Sequence, residues 1–179
     1  MPKIFRIGFG VIYSILLFHS ISLGNEVFEG QVISVTDGDS ITVLKDKERF
    51  KVRLLGIDCP ERGQPFGGTA KKFTSDVSFH KNVTVIWQKR DRYNRILGEI
   101  ILPDGRNLNH ELVRAGLAWH YKRYSNDEVL NNLEMEAHQK KVGLWLDESA
   151  VPPWDWRRGE RDNWLPSESN RDGPEPTRF

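Results

Sequence analysis

The chain has 179 residues, 38% hydrophobic and 28% charged, which fits a soluble globular protein long enough to bury one sizeable core without disulfides. Its formal net charge of +1 argues against a broad nonspecific nucleic-acid clamp, because such surfaces are markedly basic. The single cysteine, Cys59, excludes an internal disulfide.

Residues 1–24 read as a secretory leader. Lys3 and Arg6 form a positive start, Ile7 to Phe18 is an uncharged apolar run, and Ser22, Leu23 and Gly24 precede a cut site. This points to a secreted or periplasmic protein. The alternative is a membrane anchor that stays attached, since no charge occurs between Ile7 and Asn25. Without the leader, the 26 basic and 25 acidic residues become 24 and 25, net −1, because Lys3 and Arg6 are lost.

Val27 to Val35 reads as a strand. Asp37-Gly38 marks a tight turn, and Ile41 and Val43 resume a period-two pattern. Asp46-Lys47 is a second turn, followed by the alternation of Phe50, Val52 and Leu54, so three strands form a meander. Pro60 to Gly68 is a loop. A helix follows from Thr69, with Ala70, Phe73 and Val77 on one face. Val83, Val85 and Trp87 give a fourth strand and Ile96 to Leu102 a fifth, with Arg92 and Arg95 at the hairpin tip between them. A second helix spans Asn107 to Ala115, with Leu108 and Leu112 inward and Gly116 closing it. The third runs from Asn126 to Lys141, with Ser125 and Glu128 as a capping box and Val129, Leu133 and Ala137 as its apolar stripe; Leu144 and Trp145 pack back. From Pro152 the composition turns to proline, tryptophan and charge. Residues 161–179 lack an apolar period and read as disordered, and Trp154 and Trp156 are candidates to cover the domain surface.

The fold expected is α+β: a five-stranded barrel of the OB type with three α-helices, over residues 25–151, followed by a largely disordered tail over 152–179. Such barrels host many functions, so function rests on the site.

Asp39 follows a tight turn and Asp58 ends a strand, so a meander can bring both to one end of the barrel. Two such carboxylates repel unless a cation or proton lies between them. Oxygen ligands with no histidine or thiolate pair suit calcium or magnesium better than zinc. A turn-stabilising role is the plainer reading of Asp39. Arg53, flanked by Val52 and Leu54, needs a carboxylate or phosphate partner. An ion pair with Asp58 or Glu61 is the structural alternative. Glu61 could activate a water or stand solvated in its loop. Arg92, Tyr93 and Arg95 could hold phosphate oxygens, or form a charged turn. Tyr121 and Tyr124 lie in a basic aromatic stretch suited to base stacking or to packing. His80, His110, His120 and His138 have no metal-ligand spacing, and no histidine adjoins Cys59 to make it a nucleophile.

Four blocks together resemble the staphylococcal nuclease family: Val35 to Ser40 (VTDGDS), Arg53 to Glu61 (RLLGIDCPE), Asp91 to Arg95 (DRYNR) and Glu111 to Ala118 (ELVRAGLA). Their order and spacing match from about Phe28 to Trp145. The resemblance implies an OB barrel and a calcium-dependent nuclease that cleaves DNA and RNA to 3′-phosphate products. It implies Asp39 and Asp58 as calcium ligands and Cys59 as a backbone-carbonyl ligand, where the family's best-known member has threonine. Arg53 and Arg95 would contact phosphate and Glu61 would position the attacking water. Arg92, Tyr93 and Tyr121 would touch substrate. A monomer is expected. The alternative function is a catalytically weak OB-fold module that binds nucleic acid or protein, which family members with eroded sites become; the catalytic positions here are intact.

Overall fold

Alternating burial along the first strands sets the inside and outside of a barrel. In the computed structural model, which describes residues 24–159, the chain runs β1 (Glu26–Asp37), β2 (Ser40–Lys45), β3 (Glu48–Leu54), β4 (Ile57–Asp58), α1 (Gly67–Ser78), β5 (Asn82–Arg90), β6 (Ile96–Ile101), α2 (Leu108–Arg114), β7 (Trp119–His120), α3 (Glu128–Gln139), a 3-10 turn (Gly143–Leu146) and α4 (Pro153–Trp156). Residues 1–23 of the expected leader and 160–179 of the expected tail lie outside the described residues, whereas 152–159 of that tail are described and carry α4.

Val32, Ile41, Val43, Val52 and Leu54 point inward from β1, β2 and β3, which pair antiparallel as a meander. Asp46 and Lys47 both take positive φ (47° and 70°), the geometry a two-residue hairpin turn requires. β6 then pairs parallel with β3, and β5 pairs antiparallel with both β6 and β1. The order β1-β2-β3-β6-β5 closes into a five-stranded barrel, so the α+β, OB-type architecture is present. The closing seam between β3 and β6 is short, pairing only Val52, Arg53 and Leu54 with Ile96, Leu97 and Gly98.

The helices close over this barrel. Ala70 of α1 is fully buried, with Phe73 and Val77 packed on the same core. Asn107 caps α2 by accepting from the main-chain N–H groups of Asn109 and His110. Two details of α3 differ from expectation. Its cap is Asp127, which accepts from Val129 and Leu130 N–H, whereas the Ser125 hydroxyl accepts from Asp127 N–H and faces His120 Nε2. Asp127 adjoins the first helical residue, so its shorter reach wins. The buried stripe is Leu130, Leu133, Glu134 and Ala137, while Val129 is 51% exposed. Spacings of three and four follow the 3.6-residue period, and a strict spacing of four from Val129 drifts off the face. Gly116, at φ 64°, closes the turn after α2, and its carbonyl accepts from Leu144 N–H at 2.8 Å. Leu144 and Trp145 pack back, burying the Trp145 ring edge-on to Trp119 at 4.3 Å.

A fourth, four-residue helix, α4, adds to the three expected. Pro153 is buried, and Trp154 stacks parallel to Tyr121 at 5.0 Å and edge-on to Trp119 at 5.8 Å.

The turn carrying Asp39 is held from beneath. Thr74 of α1 donates its hydroxyl to the Gly38 carbonyl at 2.6 Å. A Cβ on Gly38 would stand 2.8 Å from Ala70 Cβ and from Cys59 Cβ and Sγ. Gly38→Ala is therefore expected to destabilise the fold by about 1–3 kcal/mol, read from the shift in urea midpoint, because neither neighbour is a flexible side-chain end. An unchanged midpoint would show that the turn has room.

Candidate functional site

Asp39 opens the β2 strand, whose first residue Ser40 pairs with Arg53 of β3. The register thus sets Arg53 beside the aspartate. Its Nη2 donates to Asp58 Oδ1 at 2.6 Å, and its Nη1 lies in an ion pair against Asp39 Oδ2. Cys59 N–H donates to Asp39 Oδ2 at 2.7 Å, bringing the Asp58–Cys59 peptide onto the same group. Asp39 and Asp58 are 4% and 1% exposed. Two buried carboxylates drawn onto one guanidinium repel each other, so positive charge placed between them is favoured.

The structure therefore joins Asp39, Arg53, Asp58 and Cys59 in one cluster. Arg53 here makes the ion pair with Asp58 that was the structural alternative, and pairs with Asp39 as well. The Cys59 thiol is buried, and burial pushes it above its ordinary range against the opposing Arg53 charge. It stays protonated and is unsuited to act as a nucleophile.

Glu61 stands in the loop after β4. Its main chain is clamped on both sides by Gln64: Glu61 N–H donates to Gln64 Oε1 at 2.9 Å, and Gln64 N–H donates to the Glu61 carbonyl at 3.0 Å. Gln64 Nε2 donates in turn to the Val151 carbonyl at 2.6 Å. The Glu61 carboxylate pairs with Arg157, whose guanidinium also reaches Asp58 Oδ2 at 2.8 Å and Oδ1 at 3.3 Å.

Arg95 immediately precedes Ile96, the register partner of Val52, which precedes Arg53. Val52 and Ile96 are buried, so strand alternation turns Arg53 and Arg95 outward on neighbouring strands. Asp91 organises the hairpin tip: it accepts from Arg95 Nε at 2.8 Å and from the main-chain N–H of Tyr93 and Arg95 at 2.9 Å. Burial alone would raise its pKa, but these bonds outweigh it and hold the carboxyl below its usual range. Arg92 and Arg95 both lie over the Tyr93 ring, 4.8 and 5.7 Å from its centre, and Tyr93 is 64% exposed. Arg92 and Tyr93 thus contact each other at the tip and not the aspartate pair.

Tyr121 follows β7, whose Trp119 pairs with Asp58, and its N–H donates to the Gly56 carbonyl at 2.8 Å. Its ring lies between Tyr124, edge-on at 4.9 Å, and Trp154. One face of the expected stacking ring is therefore already covered. His120 is buried beside Ser125, with its pKa lowered chiefly by that burial, so it remains neutral packing.

Among the described residues no group of three or more His, Cys, Asp and Glu side chains is arranged to hold a metal. The cluster offers the two carboxylates of Asp39 and Asp58 instead. Sequence reading missed Gln64 and Arg157. Gln64 sits three residues after Glu61, a turn spacing. Arg157 follows the Pro-Pro-Trp-Asp-Trp stretch whose composition already marked a docking segment.

A family model described as Staphylococcal nuclease homologue matches residues 51–147, over half of the chain. The chain belongs to the staphylococcal nuclease family. A protein from Escherichia coli named an uncharacterized endonuclease is 46% identical over 128 residues, 72% of this chain and 84% of its own length. A similarly named protein from Haemophilus influenzae is 40% identical over 134 residues, 74% and 75% of the two chains. A micrococcal nuclease from Shigella flexneri is 38% identical over 145 residues, 75% and 83%. Within the staphylococcal nuclease match lie Arg53, Asp58, Glu61 and Arg95. Asp39 precedes it and Arg157 follows it, so contacts from both flanks complete the cluster.

Proposed function

We propose that the protein is an exported, calcium-dependent nuclease that hydrolyses phosphodiester bonds of DNA and RNA and leaves 3′-phosphate products. The observation that carries this reading is the pair of buried aspartates, Asp39 and Asp58, drawn together across the guanidinium of Arg53. Their donor set is all oxygen, which suits a hard divalent cation. Asp39, Asp58 and the Cys59 carbonyl would hold it. When bound, calcium supplies positive charge to the phosphate oxygens.

The side chains do the rest. Arg53 and Arg95 bind the non-bridging oxygens and hold the phosphorus in line. Glu61 orients a water and takes its proton as the new oxygen–phosphorus bond forms. The bond to the 5′-oxygen breaks, that oxygen takes a proton from solvent while Glu61 releases its own to solvent, and the phosphate stays on the 3′ side. The leader of residues 1–24 supports export, and calcium is plentiful outside cells and scarce in cytosol, so such an enzyme would be idle before it leaves.

The test is cleavage of single-stranded DNA by the folded protein with calcium, then with a chelator, with end-group analysis of the fragments. Chelator-sensitive cleavage leaving 3′-phosphate is expected. Nucleic-acid binding without cleavage would favour the binding-module alternative instead.

A further inference from the structure

We propose that Arg157 is a built-in counter-cation that occupies Asp58 until a divalent cation displaces it, so that the segment after the family-matched region sets the metal affinity of the site. This rests on the reading of Asp39 and Asp58 as cation ligands.

Two guanidinium groups link three carboxylates in a row: Arg53 joins Asp39 to Asp58, and Arg157 joins Asp58 to Glu61. The two guanidiniums are held differently. Arg53 comes from strand β3 of the barrel wall, one residue before its end, and its side chain is 15% exposed. Arg157 comes from the end of a four-residue helix, and its side chain is 42% exposed. It nevertheless makes the more extensive contact with Asp58, touching both carboxylate oxygens in the fork geometry that suits arginine. Asp58 Oδ1 thereby receives two donors and Oδ2 a third.

A dication bound through Asp58 would meet this guanidinium on its own ligand atoms. Like charges in contact at a buried carboxylate are strongly unfavourable. One group must leave, and the more solvated one leaves at less cost. The anchor of the segment need not move, because Pro153 and Trp154 dock α4 independently of the Arg157 side chain. Arg157 and the cation therefore compete for the same oxygens.

The test is calcium titration of the full chain by calorimetry, for the natural protein, Arg157→Ala and Arg157→Lys, with thermal melting in chelator and circular dichroism to confirm folding. Arg157→Ala is expected to tighten calcium binding roughly tenfold, the scale of one charge-assisted pair removed from competition, and to lower the melting temperature in chelator. Arg157→Lys keeps the charge without the fork and should fall between the two. Unchanged or weaker calcium binding in folded Arg157→Ala, with the natural protein binding normally, overturns the inference and leaves the proposed function standing. If the natural protein binds no calcium, the reading of the aspartate pair itself fails.

Discussion

Arg53→Ala should remove most cleavage and, in chelator, also lower the melting temperature clearly. The first effect follows from losing a phosphate-binding guanidinium, about 100- to 1,000-fold in turnover by analogy with the loss of an oxyanion-stabilising donor. The second follows from the contacts. Sequence reasoning, which leaves Arg53 open between a phosphate ligand and an ion pair with Asp58 or Glu61, expects an effect on stability milder than that on turnover. The structure places its guanidinium between Asp39 and Asp58, both buried. Stripping it takes the guanidinium from Asp39 and leaves Asp58 with Arg157, so one buried ion pair is broken outright, a loss of about 3 kcal/mol. Calcium should restore much of that stability in the variant, because it would supply the missing positive charge. Near-normal turnover would end the phosphate role of Arg53. A melting temperature in chelator equal to that of the natural protein would show that the aspartate pair does not depend on Arg53.

Glu61→Ser should separate chemistry from cation binding. Turnover should fall about 100- to 1,000-fold, the usual contribution of a positioned general base. The loop itself should hold, because Gln64 clamps the Glu61 main chain and not its carboxylate. Calcium titration should still show binding. If binding vanished while the fold persisted, Glu61 would be a cation ligand, and the water-positioning role would pass to another group.

The barrel was readable in the sequence because each strand alternates over several residues and because short turns separate the first three. The Asp46-Lys47 turn and the inward set Ile41, Val43, Val52 and Leu54 are local patterns of this kind. The approach of Asp39 to Asp58 follows from them, since a meander returns its third strand to the turn after the first. The α3 cap was less readable: Ser125 and Asp127 are both capping residues, and only geometry decides between them. The contacts of Arg157 with Asp58 and Glu61 span 99 and 96 positions, and no periodicity or spacing rule reaches so far. Arg157 was hidden for a further reason. A run of prolines, tryptophans and charges reads as a tail until a ring such as Tyr121 is seen waiting to receive Trp154.

The hydrogen bond from Gln64 to the Val151 carbonyl has an evolutionary reading. The family-model match ends at residue 147, yet the loop bearing Glu61 is braced four residues beyond it, and two of the five barrel staves lie before its start at residue 51. A polypeptide trimmed to the matched stretch would lack both the brace and those two staves. Substitutions in either flank can therefore retune the site without touching a residue inside the match.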